Sequence, residues 1–104
     1  MLVSYAVVRS DPPEVFLAED IETLQWVLAL KVVARTRPAD LSSAQAGALR
    51  YALLAERWAE AVFGWIEATG IPIDVYPEFQ VYTPSHVAMA HAELQFTPLF
   101  QDPA

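Results

Sequence analysis

The first 18 residues have the pattern of a β-hairpin. Residues 2–9 are rich in β-branched and aromatic side chains, and residues 15–18 resume that composition. The segment between them contains Pro12 and Pro13 together with small polar residues, which is typical of a turn. The chain is therefore expected to open with two antiparallel strands.

A mostly apolar segment then predicts a first helix over residues 21–35. Asp20 can cap this helix by accepting a hydrogen bond from a free backbone N–H in the first turn. At the other end, Pro38 disfavours helical geometry in the residue before it. Residues 26–34 are apolar nearly all round, which predicts the most buried helical segment. A buried strand over 26–33 is the alternative, because periodicity alone does not type a short apolar run.

The next pattern predicts a long second helix. Ser42 and Gln45 have the spacing of a capping box, and Gly70 can supply the left-handed residue that stops a helix. About 27 residues of helix would be roughly 40 Å long, against a radius of gyration of about 13 Å for a globule of this size. Such a helix is expected either to break at Gly47 or Gly64 or to project and pack on another chain.

Apolar and polar residues alternate again after this helix. Residues 71–76 and 79–83 both follow a two-residue period, which predicts a second pair of short strands joined around Pro77 and Glu78. Pro72 favours an edge position for the first of these strands, because proline donates no hydrogen bond to a sheet.

The last predicted element is a third helix. Thr83 can cap it, Pro84 suits its first turn, and the pattern continues to about Gln95. Residues 1–104 are thus expected to form a single α+β domain with a C-terminal tail over 96–104. The predicted order is β-β-α-α(long)-β-β-α, with short antiparallel strands packed against a long, aromatic-striped helix.

An aromatic stripe is the main feature of the predicted long helix. Tyr51, Trp58 and Trp65 recur every seven residues, which places them on one helical face. Core packing against Trp26 and its neighbours is the favoured interpretation, since aromatic stripes at helical spacing usually lie in a core. A seam that binds a second copy or another protein is the first alternative, and a ligand cage is the second.

Charge is distributed unevenly along the chain. All six basic residues lie within residues 1–57, so the remaining 47 residues contain only acidic charges, and the net charge is −7. Carboxylates beside apolar side chains, such as Glu60 and Glu67, favour a protein partner with a basic or mixed surface. Nucleic acid is not expected as a partner, and six carboxylates over 47 residues are too sparse to mimic duplex DNA.

Few residues offer catalytic or metal-binding chemistry. The chain has no cysteine and three glycines, so it lacks thiolate ligands and a glycine-rich phosphate loop. On a helix, His86 and His91 would lie about 140° apart, too far round to share a metal ion even with Glu93 nearby. We expect no cofactor, no metal and no enzymatic activity.

The N-terminal residues and the longest apolar run indicate where in the cell the protein is expected. The N-terminus lacks the basic region of a signal peptide, and the longest apolar run is far shorter than the roughly 20 residues of a membrane-spanning helix. A soluble, cytoplasmic protein is expected. The lysine-poor, alanine-rich composition is typical of a protein from a high-GC bacterium or its phage.

The bulky apolar residues Leu99 and Phe100 lie close to the chain end, where disorder is common. They are expected to dock, with the domain's own core favoured over a pocket on a partner.

These observations favour a small, acidic, non-enzymatic interaction protein, such as an accessory subunit, an immunity-like or antitoxin-like neutraliser, or a phage inhibitor. It could also form a homodimer. The expected partner-binding residues are aromatic, acidic and tail side chains: Tyr51, Trp58, Trp65, Glu60, Glu67, Leu99 and Phe100. The alternative is a small-molecule-binding domain or minor enzyme with a pocket between sheet and long helix, using Tyr76, Tyr82, His86 or His91 with Glu93.

Overall fold

A three-stranded antiparallel sheet begins the fold in the computed structural model, which describes residues 1–101. Strands β1 (Leu2–Val8) and β2 (Glu14–Ala18) form the predicted hairpin. Strand β3 (Ile73–Gln80) pairs with the other side of β1, which gives the order β2-β1-β3. Because three α-helices lie between β2 and β3 in the chain, the chain must return to the sheet after the third of them to add β3 beside β1.

The second predicted pair of strands is wrong, because residues 73–80 form one strand. The pairing of β1 with β3 shifts between Val3, which lies opposite Phe79, and Tyr5, which lies opposite Tyr76. This irregularity is a bulge, and the Ser4 hydroxyl donates a 2.5 Å hydrogen bond to the carbonyl oxygen of Pro77 across it. Proline is tolerated in sheets at bulges and edges. The bulge therefore accommodates Pro77 and Glu78, where the sequence pattern predicts a turn.

The first helix begins as predicted. Asp20 caps α1 (Ile21–Leu28) by accepting a 2.7 Å hydrogen bond from the Thr23 amide, and this bond lowers the pKa of the Asp20 carboxyl. The helical path continues as a π-turn over Ala29–Val33, closed by a 2.9 Å bond from the Ala34 amide to the Ala29 carbonyl. The strand alternative for this segment is therefore wrong.

Residues 26–34 are apolar nearly all round in the sequence, but only one face of the segment is buried. Leu28, Ala29 and Val33 are buried, but Trp26 is 51% exposed and Leu30 is also exposed. One face of this segment covers the sheet, while the other is left for solvent or for another surface.

The predicted long helix is two helices. A short 3-10 turn (Pro38–Asp40) leads to α2 (Ser43–Leu54), which has the predicted capping box, and α3 (Trp58–Thr69) ends as predicted at Gly70. The break lies at residues 55–57 and involves neither Gly47 nor Gly64.

Backbone hydrogen bonds explain the break. The Arg57 amide donates to the Ala52 carbonyl and the Glu56 amide donates to the Leu53 carbonyl, at 2.9 and 3.1 Å. This pair of bonds is the Schellman arrangement that closes a helix, and it requires a left-handed residue, usually glycine. Glu56 takes that role with φ of 57°. A three-residue connection then folds α3 back along α2.

The C-terminal residues form short helices. Thr83 caps α4 (Pro84–Ala92), and proline occupies its first turn as predicted. A 3-10 turn (Leu94–Phe96) follows, and then α5 (Pro98–Gln101). The observed order is therefore β-β-α-α-α-β-α-α, a small mixed α+β domain.

The core lies between the sheet and the helices. Ala6 and Val8 on the inner face of β1 join Leu24 and Leu28 of α1 in one buried cluster. On the far side of α1, α3 contributes Ala61, Val62 and Trp65 to the same cluster, and α2 packs on α3 with Leu49 and Ala52. The helices therefore cover only one face of the sheet.

The described chain is far from spherical. It measures 65 × 26 × 18 Å, and its radius of gyration is 19.7 Å, against about 13 Å for a compact domain of this length. Residues 82–101, the C-terminal arm, contain no buried side chain. The arm accounts for the elongation because it does not join the core.

Candidate interaction site

A groove runs between α2 and α3. The two helices approach closely because Gly64 has no side chain, and a Cβ atom at that position would lie 3.1 Å from Cδ2 of Leu49. Two adjoining hollows of about 380 Å³ each follow the groove. They share four lining residues, namely Ala48, Leu49, Gly64 and Glu67.

The floor of the groove is apolar and its wall is acidic. Leu49 and Ala52 on α2 are buried beneath it, and Phe63 on α3 stands exposed at its side. Glu60 and Glu67 line the same hollow from α3. Because seven residues make two helical turns, these carboxylates lie on one side of α3, about 10 Å apart along its axis.

The carboxylates differ in their neighbours. Glu60 lies 3.5 Å from the Arg57 guanidinium, with both side chains more than half exposed. Within residues 1–101 the ion pairs are Arg9–Asp74, Arg37–Asp40 and Arg57–Glu60, so Glu67 has no cation in that part of the chain. Among the described residues, no basic side chain lines either hollow. The groove is thus a negative, partly apolar surface.

The fold offsets part of the one-sided charge of the sequence. Nε of Arg9, at the end of β1, contacts Oδ2 of Asp74 on β3 at 2.6 Å, and this contact raises the pKa of the arginine. Glu60 and Asp74 thus have basic neighbours from the first 57 residues. Of the two groove carboxylates, Glu67 is the one without a cation within residues 1–101.

The predicted aromatic stripe is not continuous. Tyr51 on α2 is exposed, with the Arg57 guanidinium 5.8 Å from its ring centre. Trp58 is half-buried and stacks on Trp26 of α1 with ring centres 5.9 Å apart, whereas Trp65 is only 5% exposed in the core. The break at 55–57 separates Tyr51 from the other two. The predicted core packing therefore holds for Trp65 and partly for Trp58, whereas Tyr51 lies outside the core.

The tail residues do not dock on the core. Leu99 is 85% exposed and Phe100 is also exposed, although α5 lies near the preceding 3-10 turn. A shallow hollow of about 250 Å³ on the arm includes His91 and Phe100. The expectation of a tail strapped over its own core is therefore wrong.

The histidines have local roles in the arm. Nδ1 of His86 accepts a 3.1 Å hydrogen bond from the Thr83 amide and so completes the cap of α4, while its ring meets Tyr82 edge-on. Among residues 1–101, no three metal-ligating side chains lie close enough together to hold an ion. His91 and Glu93, at the end of α4, are exposed.

A separate hollow of about 310 Å³ lies between the sheet and the helices. Lys31 and Arg35 reach it from the end of the π-turn region, Glu14 from β2, and Trp65 closes it from α3. None of Tyr76, Tyr82, His86, His91 and Glu93, the residues expected for a ligand pocket, lines this hollow. A pocket between sheet and helices is present, but other side chains form it.

The sequence predicts Glu60 and Glu67 as partner-binding residues, and both line the groove, which the sequence did not predict. The signal was the small residues on facing helices, Ala48 and Gly64, which become informative only once the helices are known to fold back on each other.

None of the helices in the described part of the chain has the length and apolar character needed to cross a bilayer. No protein-family model, curated protein or solved structure matches the chain.

Proposed function

We propose that this chain is a non-enzymatic protein–protein interaction protein that binds a basic or mixed segment of its partner in the α2–α3 groove. The observation that carries the proposal is the apolar floor beside two carboxylates, one of which, Glu67, has no cation within residues 1–101. A cytoplasmic location is part of the same proposal, and an accessory subunit or a neutraliser would use such a surface.

The dimensions of the groove suit an amphipathic helix. The twelve residues of α2 provide about 18 Å of length, enough for three turns of a bound helix. Its apolar side chains would meet the floor at Leu49 and Ala52. Lysine or arginine residues spaced seven apart on the partner would then match the spacing of Glu60 and Glu67.

The exposed aromatic and aliphatic side chains near the groove extend the proposed surface. Tyr51, Phe63 and Leu54 are all exposed, Leu54 at 86%. Tyrosine and phenylalanine at the side of an interface supply large contact areas with few rotatable bonds. Trp58 belongs to this surface only through its exposed part, and Trp65 supports it from the core.

Two kinds of substitution test the proposal once the partner is captured and identified from its own host. Glu60→Gln with Glu67→Gln should slow association several-fold at low salt and flatten its salt dependence, because these charges steer encounter. Glu19→Gln, on an exposed acid outside the groove, is the matched control.

Filling the groove tests the docking position itself. Ala48→Tyr places a bulky side chain in both hollows and should weaken binding at least tenfold. Ser43→Tyr adds the same group to an exposed position of α2 outside the lining and should change little. If all four variants bind the partner like the unmodified chain, the groove is not the docking site.

The hollow between sheet and helices favours a second candidate, a small anionic ligand. Lys31 and Arg35 bring two positive charges against the single carboxylate of Glu14. Calorimetric titration with inorganic phosphate and with short dicarboxylates tests this function. Binding that disappears in Lys31→Gln with Arg35→Gln would support it, and no heat with either probe class would count against it.

A further inference from the structure

The outer face of the sheet is almost entirely apolar. Side chains alternate along a strand, so Val3, Tyr5 and Val7 point away from the core that receives Ala6 and Val8. The observed register places neighbouring strands beside them in the same orientation. The outer sheet face consists of Val3, Tyr5, Val7, Leu17, Asp74, Tyr76 and Phe79, with Val15 at its corner.

Aromatic contacts order this face. Tyr5 stacks on Tyr76 with ring centres 4.6 Å apart and planes within 8°, and Phe79 meets Tyr5 edge-on at 4.7 Å. Antiparallel sheets with one face toward water normally place polar side chains there. The charged member of this face is Asp74, which is already paired with Arg9. The composition is that of a covered surface.

Nothing in residues 1–101 covers the outer sheet face. The helices pack on the inner face, and Leu17 remains 57% exposed with Phe79 also exposed. Exposed apolar surface of this extent marks an interface.

The C-terminal arm also exposes apolar side chains that do not pack on the core of the described chain. Its apolar side chains include Val87, Met89, Phe96 and Leu99, all exposed, and its charged residue within 82–101 is Glu93. A nine-residue helix such as α4 is marginal by itself in water. The arm therefore also requires an apolar surface to pack against.

Hydrogen bonds at the base of the arm direct it away from its own sheet. The Val81 amide donates to the Met1 carbonyl and the Gln80 side chain donates to the Val81 carbonyl, both at 2.9 Å. These bonds continue the line of β3 into the Thr83 cap, and the chain reaches its 65 Å length in this way. In this conformation the arm leaves β3 clear of the outer face of its own sheet, where a second chain can receive it.

The contact area distinguishes a dimer of two stacked sheets from a dimer that also exchanges arms. Three strands about 4.8 Å apart, of seven, five and eight residues, present roughly 320 Å². A stable interface needs about 800 Å² per partner. Two sheets stacked face to face therefore fall short. Adding a 20-residue arm from each chain raises the contact into the required range.

We propose that two copies of this chain form a symmetric dimer in which the C-terminal arm of each packs on the outer sheet face of the other. A twofold axis makes the exchange reciprocal and closed, so assembly stops at two. Leu99 and Phe100 are then anchors on the second copy. This surface is distinct from the α2–α3 groove and leaves the groove open.

Sedimentation equilibrium of the full chain tests the dimer. We expect a dimer at micromolar concentrations, and at least a tenfold larger dissociation constant for Leu17→Lys on the sheet and for Leu99→Asp on the arm. Ala44→Lys, at an exposed position of α2 outside the groove lining, is the control and should leave the constant unchanged. Circular dichroism checks that each variant is folded. A monomer at about 200 μM would overturn the proposal.

Cysteine pairs test the exchange directly, because the chain has no cysteine of its own. A mixture of Leu17→Cys chains and Phe96→Cys chains should form a disulfide-linked heterodimer on mild oxidation. Ala44→Cys with Phe96→Cys is the control mixture. If Leu17→Lys disrupts the dimer but Leu99→Asp does not, the two sheets stack without exchanging arms. If a monomeric chain carrying both Leu17→Cys and Phe96→Cys forms an intrachain disulfide, the arm folds back on its own sheet. Either result overturns the exchange.

Discussion

Trp65 donates its indole hydrogen to the hydroxyl oxygen of Thr36 across 2.7 Å. The Thr36 hydroxyl in turn donates to the Val32 carbonyl at 3.1 Å, so the two bonds connect α3 to the end of the π-turn. A tryptophan buried in a core needs a partner for its N–H group. Thr36 supplies that partner and fixes the angle at which the helical hairpin meets the sheet.

We predict that Thr36→Val destabilises the fold by about 1–2 kcal/mol, because it leaves the buried N–H without an acceptor. Thr36→Ser keeps the acceptor and serves as the control. In denaturant unfolding, the effects of Thr36→Val and Trp65→Phe should be non-additive, since each removes the same bond. Full additivity would mean that the bond contributes nothing.

The two tryptophans of α3 should differ in their effect on stability. Trp65→Ala removes a buried ring and should cost about 3–5 kcal/mol, whereas the half-buried Trp58 should cost about 1–2 kcal/mol when truncated. Urea denaturation measures both. Equal costs would contradict the difference in burial between the two rings.

Replacing Glu56 by glycine should stabilise the fold by about 0.5–1 kcal/mol. A left-handed backbone strains any residue with a side chain, and glycine removes that strain. Glu56→Ala keeps the Cβ atom and is the control for loss of charge. A gain in both variants would trace the effect to the carboxylate instead.

Gly47 and Gly64 should respond oppositely to alanine. Gly47 lies inside α2 with open space where a Cβ would go, so Gly47→Ala should stabilise by about 0.5–1 kcal/mol. At Gly64 the new methyl group would press on Leu49, so the gain should vanish or become a loss. Thermal unfolding of both variants checks the contrast.

Acid should weaken the start of α1. The Thr23 amide bond lowers the pKa of Asp20 in the folded chain, so the stabilisation is present above the unfolded value of about 3.9 and is lost as pH falls through the lower folded value. Asp20→Asn retains an acceptor that does not titrate. The stability difference between the two chains should stay constant from about pH 7 to pH 5 and change below it; a constant difference down to pH 3 would contradict this role.

The sequence predicted the elements whose ends are marked by side chains. Asp20, Ser42, Thr83 and Gly70 all cap helices as expected, because each acts on backbone groups within a few residues. The break at Glu56 was missed, since glutamate carries no signal for left-handed backbone. The bulge at Pro77 was missed for a different reason, because it depends on Ser4, which is 73 residues away.

The candidate site was less predictable than the fold. Glu60 and Glu67 were identified from the charge pattern, but the groove requires α2 and α3 to lie side by side, and that follows from the missed break. The outer sheet face was also hidden, because its aromatic residues come from strands at both ends of the chain. Local patterns do not show which of two sheet faces the helices will cover.

The π-turn has a consequence for chain length. Leu24 and Leu28 are buried four residues apart, yet the next buried position on that face is Val33, five residues on, and Val32 is only half-buried. The turn thus absorbs one additional residue, which in a regular helix would rotate everything after it by about 100°. Deleting one residue from Ala29–Val33 should therefore be tolerated, whereas the same deletion within Ile21–Leu28 should unfold the domain. A homologue one residue shorter at this point would keep the same core.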